Sequence, residues 1–185
     1  MEEGRARLGS YDLGVAGRSL VAHAPAIHDL EQLKGHPAIA RLISWNADSV
    51  EGAKFDRDEM TIHVRSTYIR DACMLLREDS QCPFNYLSDL TCVDRYPSEP
   101  RFEVIYHLLS IPNRERVRLK VHLQGNSPTV DSVTQVWPGA NYFEREVYDL
   151  FGVRFAGHPY LRRLLMPENW EGHPLRKDYP VEGYR

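Results

Sequence analysis

The sequence has no CxxC pair, and its cysteines number only three: Cys73, Cys82 and Cys92. Their wide, odd-numbered spacing argues against a zinc or iron–sulfur site built by this chain alone and for reduced, partly buried thiols. GxGxxG and Walker patterns are missing, so no nucleotide site is expected here. None of the eight histidines falls in an HxxxH or HExxH pattern, and each reads as a surface or hydrogen-bonded residue. No apolar run approaches the ~18 residues that would span a bilayer. The first 20 residues lack the apolar core of a signal peptide. Charge of neither sign is in excess: 23 Lys and Arg face 26 Asp and Glu, a net charge of −3. A free nucleic acid would favour a basic chain instead. The expectation is a soluble cytoplasmic protein that reaches a membrane only through something else.

A chain of 185 residues suits one globular domain. That length buries roughly 70% of its unfolded surface without staples. Residues 1–36 carry little pattern and are expected to form a loose leading segment. Ile39, Leu42 and Ile43, with Trp45 near the end, predict a short helix over 37–46. Residues 59–64 alternate as a strand. Ser66 is placed to cap a helix running to about Glu78, with Ile69, Cys73, Leu75 and Leu76 inward. Residues 85–94 and 101–110 read as strands. Arg116–Leu123 alternates cleanly, Val117, Leu119, Val121 and Leu123 against Arg116, Arg118, Lys120 and His122. With 101–110 it makes a hairpin. Ser132-Val-Thr-Gln135 fits a capping box that would start another short helix. The predicted body, 37–152, is α+β, with helices on one face of a mainly antiparallel sheet.

The densest stretch in ionisable groups is 141–153. On a helix, Phe143, Val147, Leu150 and Phe151 form one apolar stripe, and Gly152 stands where a left-handed cap would end it. Arg145 and Asp149, four apart, are expected to pair. Glu144 and Glu146 fall on opposite flanks of the stripe at roughly 100° per residue, which separates them as an acid/base pair. Glu146 and Asp149 share a flank, so a metal-dependent hydrolase using Glu144, Glu146 and Asp149 with His158 or His173 stays open. The blander reading is a helix packed in the core whose carboxylates anchor neighbouring segments.

Residues 153–185 form an irregular extended arm, broken by proline and glycine, yet they hold Phe155, Tyr160, Trp170, Tyr179 and Tyr184 together with Arg154, Arg162, Arg163, Arg176 and Lys177. Aromatics interleaved with arginine are enriched at protein–protein interface centres. Such a segment either docks on a partner or wraps its own domain.

Glu144-Arg-Glu-x-x-Asp149-Leu-Phe151-Gly152, Phe155-x-Gly-His-Pro159, Leu161-Arg-Arg163 and Gly172-His173-Pro-Leu-Arg176-Lys177-Asp178-Tyr179-Pro180 together resemble the C-type subunit family of the proton-pumping NADH:quinone oxidoreductase, bacterial complex I. The strand pair upstream looks like the family's as well, so the resemblance covers roughly residues 60–185. It implies an α+β subunit whose C-terminal extension clasps its neighbours, with Arg162, Arg163, Trp170, His173, Arg176, Lys177, Asp178 and Tyr179 as docking residues. The neighbours would be the large D-type, quinone-site subunit and the cluster-bearing B-type and I-type subunits. FMN, iron–sulfur clusters and quinone would sit on other subunits and none on this chain, which would lie peripherally on the cytoplasmic side of the inner membrane. Relatives also serve membrane-bound hydrogenases and ferredoxin-linked complexes. This chain departs from the family at Tyr160, where Asp or Asn is common.

Overall fold

The computed structural model describes residues 26–183, so most of the leading segment, Tyr184 and Arg185 lie outside the described residues. A five-stranded sheet is built from β1 (Val50–Asp56), β2 (Glu59–Val64), β3 (Tyr86–Asp94), β4 (Phe102–Ser110) and β5 (Glu115–Leu123), in the order β1-β2-β5-β4-β3. Three junctions are antiparallel, and β2–β5 is parallel. The parallel junction arises because the chain leaves β2, forms α3 (Ile69–Arg77) and the β3–β4 pair, and returns beside β2. The architecture is the α+β class expected from the alternating patterns.

The β4–β5 hairpin runs in register from Phe102↔Leu123 to Ser110↔Glu115. Val117, Leu119, Val121 and Leu123 of β5 are buried against Val104, Tyr106 and Leu108 of β4 and against the helices, as the alternation requires. The other face is polar. There Lys120 Nζ lies 3.1 Å from Glu103, Arg118 pairs with Glu59, and the His63 and His122 rings meet Nδ1 to Nε2 at 3.0 Å.

Residues 26–36, assigned by sequence to the loose segment, are held on the domain. Ile27 exchanges backbone bonds with Phe55, Asp29 caps α1 (Leu30–Leu33), and Leu33 is buried. A four-residue helix and a single bridge are too short for a period to show. The helix α2 (Pro37–Trp45) has its proline in the first turn and buries Ala38, Ile39 and Leu42. Ser66 does not cap α3. It opens a 3-10 turn, Ser66–Tyr68, and α3 then buries Ile69, Ala72, Cys73 and Leu76, with Leu75 only partly covered. Strand β1 escaped the sequence reading because Gly52 and the charges of Glu51 and Lys54 break its alternation.

The capping box at Ser132–Gln135 fails as well. Val136 and Trp137 donate to the Val133 carbonyl in a turn, and the carboxylate that reaches back belongs to Glu144, twelve residues from Ser132. A two-stranded parallel ribbon, β6 (Thr129–Asp131) with β7 (Arg154–Ala156), follows around α4 (Ala140–Phe151). The expected irregular arm therefore begins as a strand, with Val153 and Phe155 buried.

Candidate functional site

The helix α4 and the segment beyond it form one polar joint, in which the two buried carboxylates have different tasks. Glu144 is fully buried and has no cation beside it. Ser132 Oγ and the Val133 N–H each donate to it at 2.7 Å, fixing the 132–136 turn to the helix. Burial pushes its carboxyl up to about 7 against the pull of those two bonds. Cys73 of α3 and Tyr106 of β4 face the same interior, and burial raises both. Glu146 is exposed on the far side, so the two glutamates are separated as the helical phase requires.

A raised folded-state pKa means that Glu144 favours the native state at low pH. Its contribution is lost as pH rises from about 4.5 to about 7. Histidines 36, 63, 107, 158 and 173 are all lowered, chiefly by burial, and act in the opposite sense as pH falls below the ordinary histidine range. Glu144→Gln keeps an acceptor for Val133 and removes the titration. Above pH 8 it should stabilise the chain by up to the order of 3 kcal/mol relative to its difference at pH 4.5. Urea melts of both proteins across that range check it; parallel pH profiles would refute the assignment.

Asp149 is fully buried and does not pair with Arg145. Its Oδ1 accepts from Arg163 at 2.7 Å, and Oδ2 accepts from the N–H groups of Leu164, Leu165 and Met166 at 2.9, 2.7 and 2.8 Å. Burial alone would raise this carboxyl, but the Met166, Arg163, Leu164 and Leu165 bonds outweigh it and hold the group low. Arg145 donates instead to the carbonyls of Arg162 and Arg163, at 3.2 and 3.1 Å. The i,i+4 pairing loses because a single helix pair competes with four charge-assisted bonds at a buried carboxylate.

The end of α4 explains why the arm folds back. A helix leaves its last four carbonyls without helical donors. Here Gly152 N–H donates to Tyr148 O, His173 Nδ1 and Arg163 reach Asp149 O, Leu175 N–H reaches Leu150 O, and Arg176 Nε donates to Phe151 O at 2.6 Å. Three of the four are satisfied from residues at least 14 positions away in sequence. Gly152 has φ of +76°, and a Cβ there would stand 2.5 Å from both Arg176 Nη2 and His173 Cδ2. Gly152→Ala combines left-handed strain with displacement of two arm residues. It should cost about 2 kcal/mol or more in a denaturant melt; a loss under about 0.5 kcal/mol, the usual scatter of a neutral surface change, would contradict this reading.

A second clasp lies at the base of β3 and β4. The Arg101 guanidinium donates to Asp94 at 2.9 and 2.8 Å and to Asp178 of the arm at 2.9 and 2.6 Å. Its head also stands 4.9 Å from the Tyr96 and Phe102 ring centroids. Lys177 N–H adds a bond to Asp94 at 2.8 Å. Burial would raise Asp94, but the donors from Arg101, Lys177 and Tyr96 hold it at about 2. Neither Asp94 nor Arg101 carries a sequence signal, since both lie at strand ends outside the family motifs.

Among the residues expected to dock, Arg163, His173, Arg176 and Asp178 each bond to other parts of this chain, Arg176 through Nε and His173 through Nδ1. The reason is α4's need for carbonyl donors and the two buried aspartates. Arg162 is exposed over the Tyr160 ring, Trp170 and the Lys177 side chain are exposed, and Tyr179 donates to Glu171 O. No three His, Cys, Asp or Glu side chains converge as a metal site among the described residues. With Glu144 and Asp149 both engaged and Glu146 turned away, the hydrolase reading is not favoured. The joint's chemistry is mechanical, coupling one helix end to the arm and the sheet.

Comparison with known proteins gives the relatives of the chain. The C-type subunit of the NADH-quinone oxidoreductase of Roseiflexus castenholzii is 50% identical over 143 residues, covering 77% of this chain and 82% of that protein. Its counterpart in Geobacter sulfurreducens is 46% identical over 147 residues, covering 79% and 90%. Among solved structures, a chain of an archaeal respiratory membrane complex, the membrane-bound sulfane sulfur reductase, is similar with a TM-score of 0.64 and 27% identity over 77% of this chain and 84% of that one. The family model described as respiratory-chain NADH dehydrogenase, 30 Kd subunit, matches residues 62–185, a span that holds α4, both clasps and the whole arm, and it is to this family that the chain belongs.

Proposed function

We propose that this chain is a structural subunit of the hydrophilic arm of a proton-translocating NADH:quinone oxidoreductase, needed for assembly and for holding cluster- and quinone-site subunits in register. The observation that carries this reading is the C-terminal arm of the chain. It is tied to α4 and the sheet by part-buried bonds to buried Asp149, to the end of α4 and to Arg101, so it presents a fixed outer surface instead of an adaptable one. A rigid element of this kind lowers the ordering cost of docking and holds neighbours to the sub-ångström tolerance that functional sites demand. The expected neighbours are the D-type, quinone-site subunit and the cluster-bearing B-type and I-type subunits, with FMN, clusters and quinone held by other subunits. No helix among the described residues is long and apolar enough to cross a membrane. Attachment to the cytoplasmic side of the inner membrane would run through those partners. Deleting the gene should abolish NADH:quinone activity in membranes together with the full-size complex on native gels. An intact, fully active complex in the deletion strain would overturn the proposal.

A second reading keeps the scaffold and changes the machine. The fold likeness to a chain of the sulfane sulfur reductase means that the scaffold also occurs in another respiratory membrane complex, while the curated relatives are NADH-quinone oxidoreductase subunits and favour the first reading. Oxidation of NADH by the purified complex decides between the two.

A further inference from the structure

The polar face of the five-stranded sheet carries a second cluster of ionisable groups, apart from α4 and the arm. A cavity of about 500 Å³ opens there, lined by His28, Glu51, Lys54, His63, Lys120 and His122 around Gly52. A missing side chain leaves its floor open. Gly52 stands opposite His63 in register, beside the irregularity in β1. Its φ is not left-handed, and a Cβ built on it would meet nothing within 4 Å. The backbone does not require glycine at this position; a larger side chain would occupy the cavity.

Two of the lining imidazoles are bonded to each other. The His63 and His122 planes lie within 4° with ring centroids 5.2 Å apart, and His63 Nδ1 is 3.0 Å from His122 Nε2, so the rings meet end to end and share one proton. In the neutral pair one outer nitrogen donates and the other accepts. One further proton keeps the central bond, makes it charge-assisted, and turns both outer nitrogens into donors. A second would set N–H against N–H.

The charges facing the pair favour an anion. Lys54 of β1 pairs with Asp56, Lys120 of β5 and Arg95 pair with Glu103 of β4, and Arg65 pairs with Glu51 of β1. Four cations thus stand against three carboxylates before any histidine is protonated, on a chain whose net charge is −3. Burial, then the charges of His122 and Lys120, hold the His63 ring below the ordinary histidine range against the pull of Glu103 and Glu51. A bound anion would act against those cationic charges and draw a proton onto the pair. A metal cation would meet the repulsion of Lys54 and Lys120.

We propose that this cavity binds a phosphate group, free or carried on an ester, between Lys54, Lys120 and the singly protonated His63–His122 pair. A phosphate brings up to two negative charges and several strong acceptor oxygens to donors converging from three strands. The proposal goes beyond the subunit role and does not depend on it.

The test is isothermal titration calorimetry of the full chain with sulfate, inorganic phosphate and glycerol phosphate, at about pH 6 and about pH 8 in roughly 0.15 M chloride. Sulfate is the reference because its own charge does not change over this range. One ion per chain should bind, with the sulfate affinity falling about fivefold or more from the lower pH to the higher as the pair gives up its proton. His63→Gln should bring the low-pH affinity down to the wild-type high-pH value and flatten the dependence. Gly52→Leu fills the cavity without changing charge and should abolish binding at both. Thermal melts check that the variants fold; should Gly52→Leu not fold, His122→Gln takes its place and should match His63→Gln. Tighter binding of glycerol phosphate than of inorganic phosphate would support an ester as the ligand, and the reverse a free ion. No saturable binding, binding retained by every variant, or a sulfate affinity independent of pH would overturn the proposal.

Discussion

Asparagine in place of Asp149 should lower the stability of this chain by roughly 3–5 kcal/mol and expose the arm to protease. The range is that for breaking a buried ion pair from one side. Asp149 accepts four bonds from the arm, three of them at one oxygen. Asparagine has only one acceptor atom. Turned toward Leu164–Met166, it would present an N–H group to the Arg163 guanidinium; turned toward Arg163, it would set that group against three backbone donors. Either orientation leaves buried donors unmatched, each costing about 1–3 kcal/mol. The released segment contains Arg162, Arg163, Arg176 and Lys177, so trypsin should cut there before the sheet opens. Urea melts and a trypsin time course read the two effects separately. Wild-type stability in this variant would mean that the four bonds contribute nothing net.

Alanine in place of Arg101 should be comparably severe, at roughly 3–5 kcal/mol, because it strands the Asp94 carboxylate in the interior. It should also weaken a pH dependence. In the wild type, Asp94 is held at about 2, below its unfolded value of 3.8, so its contribution is present above pH 4 and lost as pH falls toward 2. Without the guanidinium the largest lowering contribution is gone while the Lys177 and Tyr96 donors stay, so the carboxyl rises and the variant should lose less stability than the wild type as pH falls from 4 toward 2. Adding Asp94→Asn should recover part of the loss, as expected when a buried charge and not a missing contact is the main penalty. A double variant as unstable as the sum of the singles would show that the two residues act independently.

Some parts of this architecture are plain in the sequence, and others are hidden for physical reasons. The hairpin of β4 and β5, the strand β2, the helix α2 and the left-handed cap at Gly152 follow from local periodicity and backbone freedom, which are written in neighbouring residues. The apolar stripe of α4 is legible too, with Val147 and Phe151 buried and Phe143 and Leu150 packed against the core. The partners of its ionisable residues are not. Asp149 chooses Arg163 over Arg145, and Glu144 chooses Ser132 and Val133, because tertiary folding offers buried donors that no helical spacing encodes. Arg101 and Asp94 go unseen for the same reason, as their value appears only when the arm brings Asp178 alongside. Strand β7 and the carbonyl donors of the arm likewise depend on contacts far apart in the chain.

If the arm is a rigid docking element whose position is set by Asp149, loosening that one residue should cost the whole complex. The most direct test is native-gel analysis of membranes from a deletion strain complemented with either the wild-type gene or Asp149→Asn, probing for full-size complex and for NADH:quinone activity in the same band. The expected result is full-size, active complex with the wild type, and for the variant a loss of full-size complex with activity falling in proportion. A full-size complex at wild-type abundance in the Asp149→Asn strain, with or without full turnover, would contradict it.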